Sequence, residues 1–183
     1  MWTRNIPREV LPAFSLAATH TLAEAFAQLR RMQNTNVTIP TLIRALENPA
    51  SPIALPGAVG LQAHDYIHCI LGCDLSLSGE AFAIGFTMGS SPRMGRISEW
   101  LYAVCARYAY PRPYRFADRH IALFHRAVHL AARMPVCDLS RTDFRPYLDV
   151  PLPQIRATLG IDETALNAAY EEIHAARDTE GQR

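Results

Sequence analysis

The chain has 183 residues, 49% of them hydrophobic and 19% charged, with a formal net charge of +1. That length can bury one sizeable core, and the near-neutral balance gives no electrostatic drive toward nucleic acid. No window reaches the roughly 18 uninterrupted apolar residues that a membrane span needs.

Apolar residues at Phe14, Leu16, Leu22, Phe26, Leu29 and Met32 recur at helical spacing and predict a helix over 11–32, its basic end Arg30-Arg31 suiting a C-terminus. A shorter helix is expected over Thr41–Glu47, and Pro49, Pro52, Pro56, Gly57 and Gly60 then mark a loop. The next helix runs from about Val59 to Leu71, with Gly72 as its stop. Ser76 or Ser78 caps a following helix that carries Glu80 in its first turn and breaks at Gly89-Ser90-Ser91-Pro92. Ser98–Tyr110 reads as a further helix, and Asp118 is the expected cap of one running to Arg133. Pro135, Pro146, Pro151 and Pro153 make the stretch after Met134 irregular and extended. Short helices over Pro153–Leu159, closed by Gly160, and Thr164–Ala176 follow, and the tail 177–183 is expected to fray. No convincing strand alternation occurs. The expectation is an all-α protein, a single helical domain over 1–183 with about seven to eight helices and a Pro-rich extended segment before the last two.

The start, Met1-Trp2-Thr3-Arg4-Asn5-Ile6-Pro7, has neither the apolar stretch nor the small-residue site of a secretory signal, so the chain is expected not to be secreted. Cys69, Cys73, Cys105 and Cys137 form no CxxC pair and lie among apolar residues, as reduced and mostly buried thiols do.

The chemistry concentrates in the region 59–88. His64 and His68 stand at i and i+4, about 40° apart around a helix, and Asp65 lies about 60° beyond His68. All three fit an arc of about 100°. Eleven residues separate His68 from Glu80, which a helical hairpin turning over 72–79 returns toward the same point. Two imidazoles and two carboxylates suit zinc, iron, manganese or cobalt without thiolate. The alternative is a polar helix face with buried His–Asp pairing and no metal. An HD-type metal phosphohydrolase is a further reading, needing His20 and Asp118 as extra ligands, and it leaves Glu80 unexplained. His125 and His129 also stand at i and i+4, but no carboxylate follows nearby. With His120 and Arg133 they read as an exposed polar stripe, and His20 and His174 as lone surface or core histidines.

His64-Asp65-x-x-His68, eleven residues, then Glu80 resembles the signature of the coenzyme Q (ubiquinone) biosynthesis protein 4 family in order and spacing. Leu71-Gly72, Ser78-Gly79-Glu80-Ala81 and the run from Leu148 to Ile161 are similar too, so the likeness covers roughly 41–161. It implies an all-helical fold and a divalent ion, zinc, on His64, Asp65, His68 and Glu80; the donor chemistry leaves Fe(II) or manganese open, and Fe(II) suits an oxidative step that zinc cannot supply. It implies work on a polyprenylated hydroxybenzoate precursor, replacing the ring C1 carboxylate with hydroxyl. The alternative within the same resemblance is a non-catalytic scaffold that binds isoprenoid or quinone and organises other ubiquinone-biosynthesis enzymes. The expected location is cytoplasmic or peripheral on the inner membrane, and a homodimer stays open.

A prenyl tail needs an apolar channel. Phe82, Ile84, Phe86, Met88, Trp100, Leu101, Val104 and Tyr108 follow the motif at helical spacings, first as ordinary core and second as channel lining. Arg93, Arg96 and Arg107 read first as a solvated face and second as contacts to an anionic head group.

Overall fold

The computed structural model describes residues 19–32, 55–110 and 112–180, with side chains described through Glu171 in the last helix. The expected helix at Thr41–Glu47, the part of the first helix before residue 19, and the His174 side chain lie outside the described residues. Within them are seven α-helices: α1 Leu22–Met32, α2 Leu61–Leu71, α3 Leu77–Ser90, α4 Arg96–Val104, α5 Asp118–Ala132, α6 Leu152–Leu159 and α7 Glu163–Glu180. The protein is all-α; the nearest thing to strand pairing among the described residues is one isolated bridge, Thr21 to Pro151. No helix among them is long and apolar enough to cross a membrane.

α1 begins at Leu22 because Thr21 and Glu24 form a reciprocal box. The Thr21 amide donates to the Glu24 carboxylate at 2.9 Å and the Glu24 amide to the Thr21 hydroxyl at 3.3 Å. The Pro-rich segment supplies the other acceptors that the helix start needs: Leu22 and Ala23 donate to the carbonyls of Val150 and Leu148. The irregular stretch read from the prolines therefore wraps back onto the first helix. It contains two short 3₁₀ turns, Leu139–Arg141 and Arg145–Tyr147.

α3 runs through the middle, buried on nearly every side. It lies unusually close to α5. A Cβ added at Gly85 would sit 2.5 Å from the carbonyl oxygen of Phe124, and one at Gly89 2.3 Å from that of Val128. Only hydrogen fits at either place. The main core gathers Leu22 and Leu29 of α1, Ile67 and Ile70 of α2, Phe82 and Phe86 of α3 with residues of α5, α6 and α7. A second cluster packs Met88, Tyr102, Tyr110, Phe116 and Phe124 between α3, α4 and α5.

Five expectations need correction. The helix expected over 11–32 starts, within the described residues, only at Leu22, with 19–21 non-helical. The helix expected over Ser98–Tyr110 starts at Arg96 and changes to a π-helical turn at Cys105–Ala109. The Ala106 carbonyl is taken by the amide of Phe116 at 3.0 Å, which competes with regular α pairing. Asp118 is not the cap of α5. Ala117 holds that position, and its amide donates to Nδ1 of His120 at 3.1 Å. Cys137 is exposed and Cys105 half-buried, while Cys69 and Cys73 are buried. The last helix continues to Glu180, past the start of the expected tail.

Candidate metal centre

The site is built by the hairpin of α2 and α3. α2 ends at Gly72, whose φ of 77° reverses the chain. Asp74 then organises the entry to α3: its Oδ1 accepts from the amide and the hydroxyl of Ser76, at 3.2 and 2.6 Å. Ser76 caps the helix by accepting from the Gly79 amide at 3.1 Å. A Cβ on Gly79 would stand 2.0 Å from the Asp74 carbonyl oxygen. The turn therefore closes tightly enough to aim Glu80 back at α2.

There the side chains converge. His64 Nε2 lies 3.0 Å from Glu80 Oε2, His68 Nε2 lies 3.1 Å from His64 Nε2, and His68 Nε2 lies 3.4 Å from Glu80 Oε1. The His68 side chain is fully buried, that of His64 is 19% exposed and that of Glu80 29%. Two neutral imidazoles cannot face their lone pairs at this separation without repulsion, so a proton or a cation must sit between them. A four-coordinate zinc ion with bonds of about 2.0–2.2 Å spaces its ligand atoms roughly 3.3–3.5 Å apart, within a few tenths of an ångström of what is seen. His68 Nδ1 is buried with no hydrogen-bond partner. Burial works to raise the Glu80 carboxyl, but the imidazoles of His68 and His64 outweigh it and hold the group well below the usual carboxylate range. Glu80 is thus an anion facing two nitrogens, a donor set that fits a divalent ion with one position open.

No family model, curated protein or solved structure matches this chain.

Among the described residues, His64, His68 and Glu80 are the group whose ligand atoms lie within 4.8 Å of one another. Asp65 does not join them. It is buried and faces α1, with Oδ2 3.9 Å from Arg30 Nη1. One residue on from His64 is a turn of about 100°, enough to carry the carboxylate to another helix. His20 and Asp118, needed by the phosphohydrolase reading, are also outside the cluster; Asp118 is exposed and pairs with Arg107.

The expected channel residues separate. Phe82 and Phe86 are core. Trp100, Arg93 and Arg96 are on the surface, and Arg107 is half-buried beside Asp118. An open groove of about 580 Å³ lies between α5 and α7, over Phe82 and flanked by Arg126, His129 and Arg133. Of the expected lining, Phe82 alone reaches it.

The stripe reading of His120, His125, His129 and Arg133 also changes. His120 is buried at the start of α5. Glu99 of α4 reaches His125, with Oε1 2.5 Å from Nδ1, and lies 3.9 Å from His129 Nε2. The carboxylate missing from the sequence neighbourhood comes from another helix.

Two further residues that sequence reasoning passed over hold α2 in place. Arg156 of α6 donates to the Ile70 carbonyl, and Tyr170 of α7 donates to the Leu71 carbonyl at 2.7 Å. Cys73 in turn lies 3.2 Å from the Tyr170 hydroxyl. A signal for Arg156 was present: Leu152, Ile155, Arg156 and Leu159 share one helical face, so the arginine stands where a core residue belongs.

Proposed function

We propose that the chain is a metal-dependent enzyme of ubiquinone biosynthesis that replaces the C1 carboxylate of a polyprenylated hydroxybenzoate with hydroxyl. One observation carries the metal: the convergence of His64 Nε2, His68 Nε2 and a Glu80 oxygen at 3.0–3.4 Å. The choice of substrate rests on the resemblance of the HDxxH–x11–E run to the coenzyme Q biosynthesis protein 4 family. His64, His68 and Glu80 would hold the ion, zinc or Fe(II), and Asp65 would brace the helix against Arg30. The bound ion supplies Lewis acidity toward the substrate's carboxylate and adjacent phenolate, and iron would add redox chemistry that zinc lacks.

The reaction breaks the bond from ring C1 to the carboxyl carbon, releasing CO2, and forms a C1–oxygen bond. Dioxygen supplies that oxygen atom, and the second oxygen leaves as water with two electrons from an external reductant. The protein's part is to orient the ring over the open side of the three-residue cluster. Because the His64 and Glu80 side chains keep partial exposure while His68 has none, the substrate approaches from the His64–Glu80 side.

A second reading, a quinone-binding scaffold at a membrane surface, has its own support. Ile97, Trp100, Leu101 and Tyr108 are exposed on α4 and the π-helical turn, with Arg93 and Arg96 exposed nearby. Apolar residues flanked by arginines suit the interface of an anionic bilayer, and peripheral attachment there would bring the protein to its prenylated substrate and to other ubiquinone-biosynthesis enzymes.

Elemental analysis of protein purified without added metal, before and after reconstitution, tests the first reading. About one equivalent of zinc or iron that disappears in His64→Ala/His68→Ala is expected, together with CO2 release from a prenylated hydroxybenzoate that stops in Glu80→Gln. Protein whose metal content, before and after reconstitution, is the same as that of His64→Ala/His68→Ala overturns it. Metal without turnover leaves the scaffold as the better account.

A further inference from the structure

Among the described residues outside the α2–α3 hairpin, two imidazoles and a carboxylate meet again in a looser set, between α4 and α5. His125 and His129 occupy successive turns of α5, and Glu99 comes to them from α4. His125 Nδ1 and Glu99 Oε1 are 2.5 Å apart, and His129 Nε2 lies 3.9 Å from the same oxygen. We propose that Glu99, His125 and His129 form a second divalent transition-metal site, separate from His64, His68 and Glu80.

Paired histidines at i and i+4 present both imidazoles on one helix face, the spacing by which a helix chelates zinc. The Glu99 carboxylate makes the pair a three-donor set and adds the negative charge that a divalent ion prefers. Both imidazoles address one oxygen, so a cation at that point takes the place of the proton shared between His125 and Glu99. Zinc bonds of about 2.0–2.2 Å require donor atoms roughly 3.3–3.5 Å apart. Against Glu99 Oε1, His125 must therefore retreat by less than about 1 Å and His129 approach by about half that, and the two imidazole donor atoms, more than 4.8 Å apart, must close on each other by over about 1 Å. Both have room, since their side chains are 39% and 66% exposed, while Glu99, at 15%, is held by packing. A rigid carboxylate met by two adjustable imidazoles forms a chelate at low energetic cost, because only exposed torsions change.

The ligands follow the borderline order, so Cu(II), Ni(II) and Zn(II) bind in preference to Mn(II) or Mg(II). The site is open to solvent and offers three protein donors, which makes it weaker and more exchangeable than the buried cluster. Its structural consequence is a staple. Glu99 belongs to the helix that carries exposed Trp100, and the histidines belong to the helix packed against α3, so a bound ion ties the two together.

The test compares chelator-treated wild type with His125→Ala/His129→Ala and with Glu99→Gln by Ni(II) and Zn(II) titration calorimetry. Circular dichroism checks that each variant keeps its helix content. Wild type should bind one equivalent more than the double variant, whatever the first site does, and Glu99→Gln should weaken that equivalent by about tenfold or more. Ni(II) should also raise the melting temperature of wild type above that of the double variant. Trp100 fluorescence, beside Glu99, should be quenched by Ni(II) in wild type and not in the double variant, in a Trp2→Phe background. Equal stoichiometry in wild type and the double variant, with equal quenching, overturns the site.

Discussion

Arg156 of α6 is wholly buried and donates from Nε to the carbonyl oxygen of Ile70 at 2.6 Å. The last turn of a helix leaves carbonyls without intrahelical donors, and here the turn that follows His68 is closed by a side chain 86 residues further along. Its Nη1 also meets Glu163 at 2.9 Å.

Arg156→Ala removes the guanidinium, strands a buried carbonyl and leaves Glu163 without this partner. A loss of about 3–5 kcal/mol is expected for breaking a buried charged network, seen as a lower urea midpoint. Arg156→Lys should recover only part, because one ammonium cannot reproduce the planar fork. A near-wild-type midpoint for Arg156→Ala would show that α2 does not depend on this anchor.

Gly79→Ala and Gly60→Ala make a matched pair. The first places a methyl 2.0 Å from the Asp74 carbonyl, whereas the second meets nothing within 4 Å. Gly79→Ala should displace the start of α3 and Glu80 with it, lowering metal affinity at least tenfold. Gly60→Ala should match wild type. Equal affinities in the two variants, measured by competition with a chromophoric chelator, would contradict the proposed tightness of the turn.

The cysteines differ in reach. Cys137 is exposed and should take up maleimide at pH 8 in the folded protein, while Cys69 and Cys73 should not. Burial, reinforced by the charge of Asp65, pushes the Cys69 thiol up to about 12, and burial raises Cys73 as well. A folded-state value above the unfolded one means that the unfolded chain sheds its proton first as pH rises. The stabilisation is thus complete below the ordinary thiol range, around 9, and is lost from there toward about 12. Melting temperature should fall between pH 9 and 11 more steeply in wild type than in Cys69→Ala. Parallel curves would exclude the thiol as the cause.

Trp100→Ser with Ile97→Ser should abolish cosedimentation with vesicles containing anionic phospholipid, and Arg93→Gln with Arg96→Gln should weaken it in a salt-sensitive way. All four side chains are exposed, so stability should change little. Wild type that stays in the supernatant at low salt would remove the membrane reading of this face.

Much of the hairpin could be read in one dimension. Helical spacing placed His64 and His68 on one face, Gly72 marked the reversal and Ser76 was one of two expected caps, because periodicity, caps and glycine stops act over a few residues. The start of α1 is hidden from apolar spacing, since it is set by the polar Thr21–Glu24 box and not by where the hydrophobic stripe begins. The change to a π-helical turn at Cys105 was also hidden, since it depends on an amide at Phe116.

The sequence by itself determined the all-α class and put two imidazoles on one helix face, with one carboxylate beside them at Asp65 and another twelve positions after His68 at Glu80. Tertiary structure alone decided which acid joins them: Glu80 turns in, and Asp65 turns away to Arg30. It alone brought Glu99 to His125 and Arg156 to Ile70. Spacing along a helix specifies direction around one axis, but what waits in that direction is set by how the axes pack, and that packing joins residues far apart in the chain.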